Sequence, residues 1–403
     1  MASEEEFNVE ETLEESEETC DIYYEHLLLL EAVTNRSCSM VHELVHNRGM
    51  SPDFNVDGQS PICRAAKLGY VDILDILVEG GCSLLVTDAD IWRRQALHVA
   101  ASKGHIDFVK RLLHYGADIN SRDDDQRTPL HWASTYGNID MVRYLVSEGA
   151  AVNMAQCDGF TPLHAATCLG HHGVCKVLLD KGAEIDRCDR DGWSAFHTAV
   201  CYGHKLVVQT LLDAGASLLK LTSDNENVVH IAASSGRIEI LKLLMQSGVN
   251  LNERNKDGNT ALYLAVFYNE FEMVRFLIQS GADMYISPEN GSTPLYLAAF
   301  RGYTDHLCVF IEAGYNFSGI SWLHNTVFPG LLARNIKMCQ LLYRKATNPP
   351  SLKDVCKFKI RKCLKYDEQF ETRLKGLGLP ALLEEFVSYK VMNSIQPLID
   401  RKF

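Results

Sequence analysis

The chain has 403 residues, a formal net charge of −13 and 46% hydrophobic residues, which exceeds one ordinary core and suits several domains or an extended array. The charge is uneven: residues 1–21 hold ten Asp or Glu and no Lys or Arg, so the remainder is near balance and offers no basic stripe for nucleic-acid phosphates. The sequence shows no export signal and no apolar run of about eighteen residues, and its thirteen cysteines lack a framework spacing, so no membrane span is expected, the cysteines should be reduced thiols, and the expected location is the cytosol or nucleus.

In chain order, residues 1–23 read as an acidic, disordered tail. A partial helical unit over 24–55 follows, with Leu44-Val45 as its core pair. Ser60-Pro61-Ile62-Cys63 opens a second unit, displaced by two residues around Asp90-Ile91-Trp92. From there a strict period of 33 residues sets in. Gln95-Ala96-Leu97-His98 is followed by Thr128-Pro129-Leu130-His131 and Thr161-Pro162-Leu163-His164. Ser194-Ala195-Phe196-His197, Asn227-Val228-Val229-His230, Thr260-Ala261-Leu262-Tyr263 and Thr293-Pro294-Leu295-Tyr296 keep the same step.

Each column of the repeat has a physical reason. Thr before Pro starts a helix: the hydroxyl caps free amides and Pro loses no needed donor. The following Leu points inward, and the His or Tyr can tie neighbouring repeats together. Gly104, Gly137, Gly170, Gly203, Gly236 and Gly302, with Asn269 in the gap, end this first helix because they reach positive φ cheaply. Leu112, Leu145, Leu178, Leu211, Leu244 and Leu277 form the core row of a second helix. Asp158-Gly159, Asp191-Gly192, Asp257-Gly258 and Asn290-Gly291 favour tight turns at hairpin tips. At the far end Thr326 falls on register and Asn335 takes the Gly place. This helix–turn–helix–hairpin unit with T-P-L-H resembles the ankyrin repeat. The expected fold is therefore all-α, an ankyrin-repeat solenoid of helix pairs with β-hairpin tips. About ten units fill residues 24–346.

After Asn348-Pro349-Pro350 the period stops, and two prolines make a stiff joint. Leu352, Val355, Cys356, Ile360, Cys363 and Leu364 then fall on one helical face. Ser351-Leu352 with Cys356 and Ile360 resembles the elongin-binding box that opens a SOCS box. Leu379-Pro380, Leu383, Phe386-Val387 and Tyr389 resemble the cullin-selecting half, with Gly378 where the family has its first Pro. Coming in this order behind the array, they identify the chain as a member of the ankyrin-repeat and SOCS-box (ASB) family. The resemblance implies a small three-helix SOCS box over 347–390, followed by a tail over 391–403. It implies that Leu352, Cys356 and Ile360 meet elongin C, with elongin B beside it. Leu379, Pro380, Leu383 and Phe386 would meet a cullin-5-type scaffold carrying a RING subunit. The implied role is substrate recognition in a ubiquitin ligase, without catalysis or cofactor in this chain. The alternative is a plain ankyrin adaptor whose C-terminal helices only cap the array.

Tempting chemistry fails on register. His42-Glu43-Leu44-Val45-His46 matches the zinc-protease motif H-E-x-x-H. Its histidines fall at solvent-facing places of a short second helix, with no third ligand, so no metal is expected. Cys168, His171, His172 and Cys175 look like a zinc set, yet Gly170-His171 is the ordinary turn and Cys175 a core place. The array's partner is an unknown protein substrate. Ankyrin repeats bind along hairpin tips and first helices, where this chain places Trp132, Tyr136, Phe160, Trp193, Tyr202, Phe267, Tyr268 and Phe300, residue types favoured as anchors.

Overall fold

In the computed structural model the described residues are 23–347, apart from 89, 91, 319 and 326. They fall into two compact units that divide within one repeat: 23–190 with 194–199 and 206–216, and 191–193 with 200–205 and 217–347.

The first unit begins with α1 (23–34) and α2 (Cys38–His42), which continues into a π-helical turn at Glu43–Asn47. Helix pairs follow: α3 (Pro61–Leu68) and α4 (Val71–Glu79), α5 (Ala96–Lys103) and α6 (Ile106–His114), α7 (Pro129–Thr135) and α8 (Ile139–Ser147), α9 (Pro162–Cys168) and α10 (His172–Asp180). First helices lie side by side, α3 on α5, α5 on α7, α7 on α9, while α4 meets α6 and α8 meets α10. Small residues allow this: Ala100, Ala101, Ala133 and Ala166 are fully buried. The second helices contribute Leu112, Leu145 and Leu178 to the same core.

Local chemistry starts and stops each element. Ser60, Thr128 and Thr161 accept the backbone N–H of Cys63, His131 and His164, with Pro at the first helical position. Thr128 and His131 form a reciprocal cap, because the Thr128 N–H donates to His131 Nδ1 at 3.1 Å. With Nδ1 accepting, the ring proton sits on Nε2, which donates to the Phe160 carbonyl of the next repeat at 3.2 Å. Gly137 ends its helix at φ +72°, and a Cβ there would also lie 2.6 Å from the His171 ring. That ring donates to the Thr135 carbonyl at 3.0 Å, so the turn residue of one repeat satisfies the last carbonyls of its neighbour. Asn138 does the same for Ala101 and Ser102.

The expected β-hairpin tips are a correction: among the described residues they are turns with only isolated bridges, such as Thr87 with Gln95 and Cys188 with Ser194. Asp123 N–H donates to Arg127 O, Gln126 N–H donates to Asp123 O, and the tips stack through single bonds, Cys157 N–H to Asp125 O and Arg190 N–H to Asp158 O. The segments are too short for a ladder. Asn120 and Asn153 add side-chain bridges to the amides of Ala151 and Glu184.

The second unit repeats the scheme. α13 (Val228–Ser234), α15 (Ala261–Phe267) and α17 (Pro294–Arg301) are first helices; α14 (Ile238–Gln246), α16 (Phe271–Gln279) and α18 (Thr304–Glu312) are second helices. The intervening pair α11 (Ala195–Tyr202) and α12 (Lys205–Asp213) is shared between the units. The last repeat departs from the pattern. Its first half is a short helix, α19 (Ser321–His324), and a 3-10 turn at Gly330–Arg334 before α20 (Ile336–Thr347). Asn335 is a second correction. It stands at φ −104°, outside the left-handed region of the column's glycines. Its side chain instead accepts the Met338 N–H at 3.1 Å and caps α20. Thr326 lies outside the described residues. No helix among the described residues is long and apolar enough to cross a membrane.

Candidate functional site

In the first unit the structure changes the meaning of Trp132. It is 4% exposed, so it is not the open anchor expected from its register. Its indole N–H donates to Asp123 at 2.9 Å, and its ring meets Trp92 edge-on at 5.3 Å. The guanidinium carbons of Arg94 and Arg127 lie 4.7 and 5.3 Å from its centroid. Asp90 and Asp125 pair with those two arginines at 2.7 and 3.0 Å, so the arginines are neutralised within a staple across hairpin tips. Asp123, itself buried, is occupied by Trp132 and the Arg127 N–H. Tyr136 is 51% exposed and stacks on Trp132. Phe160 is half-buried against the ring of His164. Leu169, in the Tyr136 column, is also 51% exposed; an aromatic search overlooks it, whereas the 33-residue register finds it.

In the second unit Trp193 is half-buried, and Tyr202 is exposed with its ring stacked near His204 at 6.3 Å. Phe267 and Tyr268 meet edge-on at 5.2 Å. Phe300 stacks on Tyr296 at 6.4 Å, and Tyr296 meets Trp322 edge-on. Trp322 then meets Phe328 at 6.3 Å. Tyr296, Trp322, Phe328 and Arg301, which lies over Phe267 at 5.3 Å, belong to this run although the sequence does not single them out. Tyr296 reads there only as the repeat's His substitute, and the other three lie where the repeat pattern gives no binding signal.

The metal-like sets do not assemble. His42 and His46 are exposed, with rings 4.6 Å apart, and His46 Nε2 is taken by the Ile76 carbonyl at 3.2 Å. Cys175 is fully buried among apolar side chains, and burial pushes its thiol up to about 12. Among the described residues no group of three His, Cys, Asp or Glu is placed to hold a metal. The box residues Leu352, Cys356, Ile360, Leu379, Pro380, Leu383 and Phe386 lie outside the described residues.

Comparison with known proteins bears directly on both parts of the chain. The family model described as ankyrin repeats (three copies) matches in overlapping windows at 29–123, 78–156, 97–189, 152–222, 196–288 and 229–321. The SOCS box model matches 348–388. Ankyrin repeat and SOCS box protein 6 of Pongo abelii is 33% identical over 81 residues, 20% of this chain and 19% of that protein. Its Homo sapiens counterpart is 32% identical over 81 residues, with the same coverage of each chain. Alpha-latrocrustotoxin-Lt1a of Latrodectus tredecimguttatus is 37% identical over 94 residues, 23% of this chain and 6% of that protein. The matched segments thus span less than one fifth of these relatives. With ankyrin repeats matched across most of the chain and a SOCS box directly behind them, the chain belongs to the ankyrin-repeat and SOCS-box family.

Proposed function

We propose that this chain is the substrate-recognition subunit of a cullin-RING ubiquitin ligase, of the type built on elongin B, elongin C and a cullin-5-type scaffold. The observation that carries the reading is the SOCS box at 348–388 directly behind the repeats. In this reading Leu352 enters an elongin C pocket, supported by Cys356 and Ile360. Leu379, Pro380, Leu383 and Phe386 face the cullin. The array holds the substrate and raises its effective concentration near the ubiquitin carrier that the RING subunit recruits. The chain itself performs no bond chemistry, and its workplace is the cytosol or nucleus.

The test is capture of purified elongin B–elongin C by the full chain and by a Leu352→Ala, Cys356→Ala variant, with circular dichroism to establish equal folding. Capture by the parent and at least about tenfold weaker capture by the folded variant is the expected result, since removing buried interface anchors costs about 2 kcal/mol or more. No capture by the parent would leave a plain ankyrin adaptor, the alternative assignment.

A further inference from the structure

The second unit carries aromatic rings that its own fold does not require. Phe267, Tyr268 and Phe300 are 42%, 57% and 50% exposed. The register of Phe267 and Phe300 is filled in other repeats by Thr135, Cys168, Cys201 and Ser234, so the helix pair packs without a ring there. Behind Phe300 the run continues through Tyr296 and Trp322 to Phe328. Phe328 lines an open cavity of about 300 Å3 with Ala333, Ile336, Cys339 and Tyr343. Isolated exposed rings are ordinary; a contiguous set leading into a hollow marks an interaction surface.

Two arginines stand beside these rings. Arg301 lies across the Phe267 ring, and Arg334 holds the same register one repeat later. The two elements are close, because a Cβ on Gly330 would strike the Phe300 backbone. Among the described residues neither arginine has a carboxylate within ion-pairing distance. In the first unit, by contrast, Arg94 and Arg127 are neutralised by Asp90 and Asp125. Of the charged residues from 292 to 347, Arg301 lies on the first helix α17 and Arg334 on the 3-10 turn before α20, whereas Asp305 and Glu312 sit on the second helix α18 and Lys337, Arg344 and Lys345 on the second helix α20. Glu270, close in sequence to Tyr268, lays its carboxylate over Gly236 of the preceding repeat.

We infer that this aromatic and arginine face holds the protein substrate, and that the segment it takes is acidic and carries large apolar side chains. The inference rests on the receptor reading above and gives it a substrate class. The rings supply pockets for apolar anchors. A guanidinium already stacked on a ring is weakly hydrated and partly fixed, so a carboxylate recruits it at low desolvation and entropy cost.

The experiment is fluorescence anisotropy with the full chain and three short labelled peptides. Each carries Phe at every third position, with Glu, Gln or Lys between. The Glu peptide should bind at least about tenfold tighter than the Lys peptide, the Gln peptide between them, and added salt should weaken it. Phe300→Ser, which installs a residue the register already tolerates, and Arg301→Glu should each lose about tenfold or more with unchanged melting. Equal binding of the Glu and Lys peptides, or full binding by both variants, overturns the inference. Two other occupants would also overturn it. One is the chain's own acidic head, revealed if removal of residues 1–22 strengthens Glu-peptide binding. The other is a second copy, revealed by a dimer that Arg301→Glu dissociates. Elongin capture measured in parallel separates the two readings: captured elongin with no peptide preference sinks this inference alone.

Discussion

His131 shows how one side chain joins two repeats and sets a pH limit on the fold. Its Nδ1 accepts from the Thr128 amide and its Nε2–H donates to Phe160 O, so only the neutral ring fits. Burial holds its pKa down from 6.5 to about 4. A folded-state value below the unfolded one means that this stability is fully present above pH 6.5 and lost as pH falls towards 4. Its loss by pH 4 is about 3 kcal/mol. His98 and His230 are also lowered, chiefly by burial, so the effect is shared along the array. Thermal unfolding followed from pH 7.5 to 4.5 should show the melting temperature falling steeply. His131→Tyr, which copies Tyr263 and Tyr296 of the same column, should be about 1–2 kcal/mol less stable at pH 7.5, with a shallower acid slope. An identical slope in both proteins would remove His131 from the account.

At the scale of the element, the hairpin tip explains why glycine recurs and where the chain departs from it. Gly159 stands at φ +95°, and a Cβ there would lie 2.9 Å from the Asp189 backbone of the next tip; conformation and space both exclude a side chain. One repeat earlier the same place is Gln126 at φ +65°. Its side chain accepts from Arg122 at 3.0 Å in an exposed contact, which offsets little of the left-handed strain. Gln126→Gly should therefore raise stability by about 0.5–1 kcal/mol, measurable by urea unfolding. A loss of stability would show that the Arg122 contact outweighs the strain. These tips were legible as Asp-Gly turns, but their lack of strand pairing was not, because pairing depends on length and neighbours rather than on the turn dipeptide.

For the whole molecule, the proposed function makes repeats and box separable duties. Within α20 (Ile336–Thr347), Leu342 and Ala346 are buried among the described residues alone. A chain ending at Thr347 should keep the helical spectrum and melting temperature of the full chain while losing elongin capture. A much lower melting temperature would mean that residues 348–403 serve as the stack's cap, which is what the adaptor reading expects. Of the aromatic residues that register places along hairpin tips and first helices, Tyr136, Tyr202, Tyr268 and Phe300 are exposed. Register misjudged Trp132, because whether a ring at a given register lies open depends on its neighbours across the tip, here Trp92, Arg94 and Arg127.

By itself the sequence determined the repeat, its period, and its caps and turns, because each rests on contacts within or between adjacent repeats whose spacing is written in the chain; it also carried the SOCS-box pattern, as a run of residue types at set spacings. Only the tertiary structure decided which aromatic residues are buried, that Asn335 caps a helix instead of ending one, and that Arg301 lies on Phe267 with no carboxylate partner among the described residues. The ring contacts join residues 30 or more positions apart, and the Asn335 cap, though local, replaces the turn that the register implies; periodicity specifies where such residues stand but not what they touch.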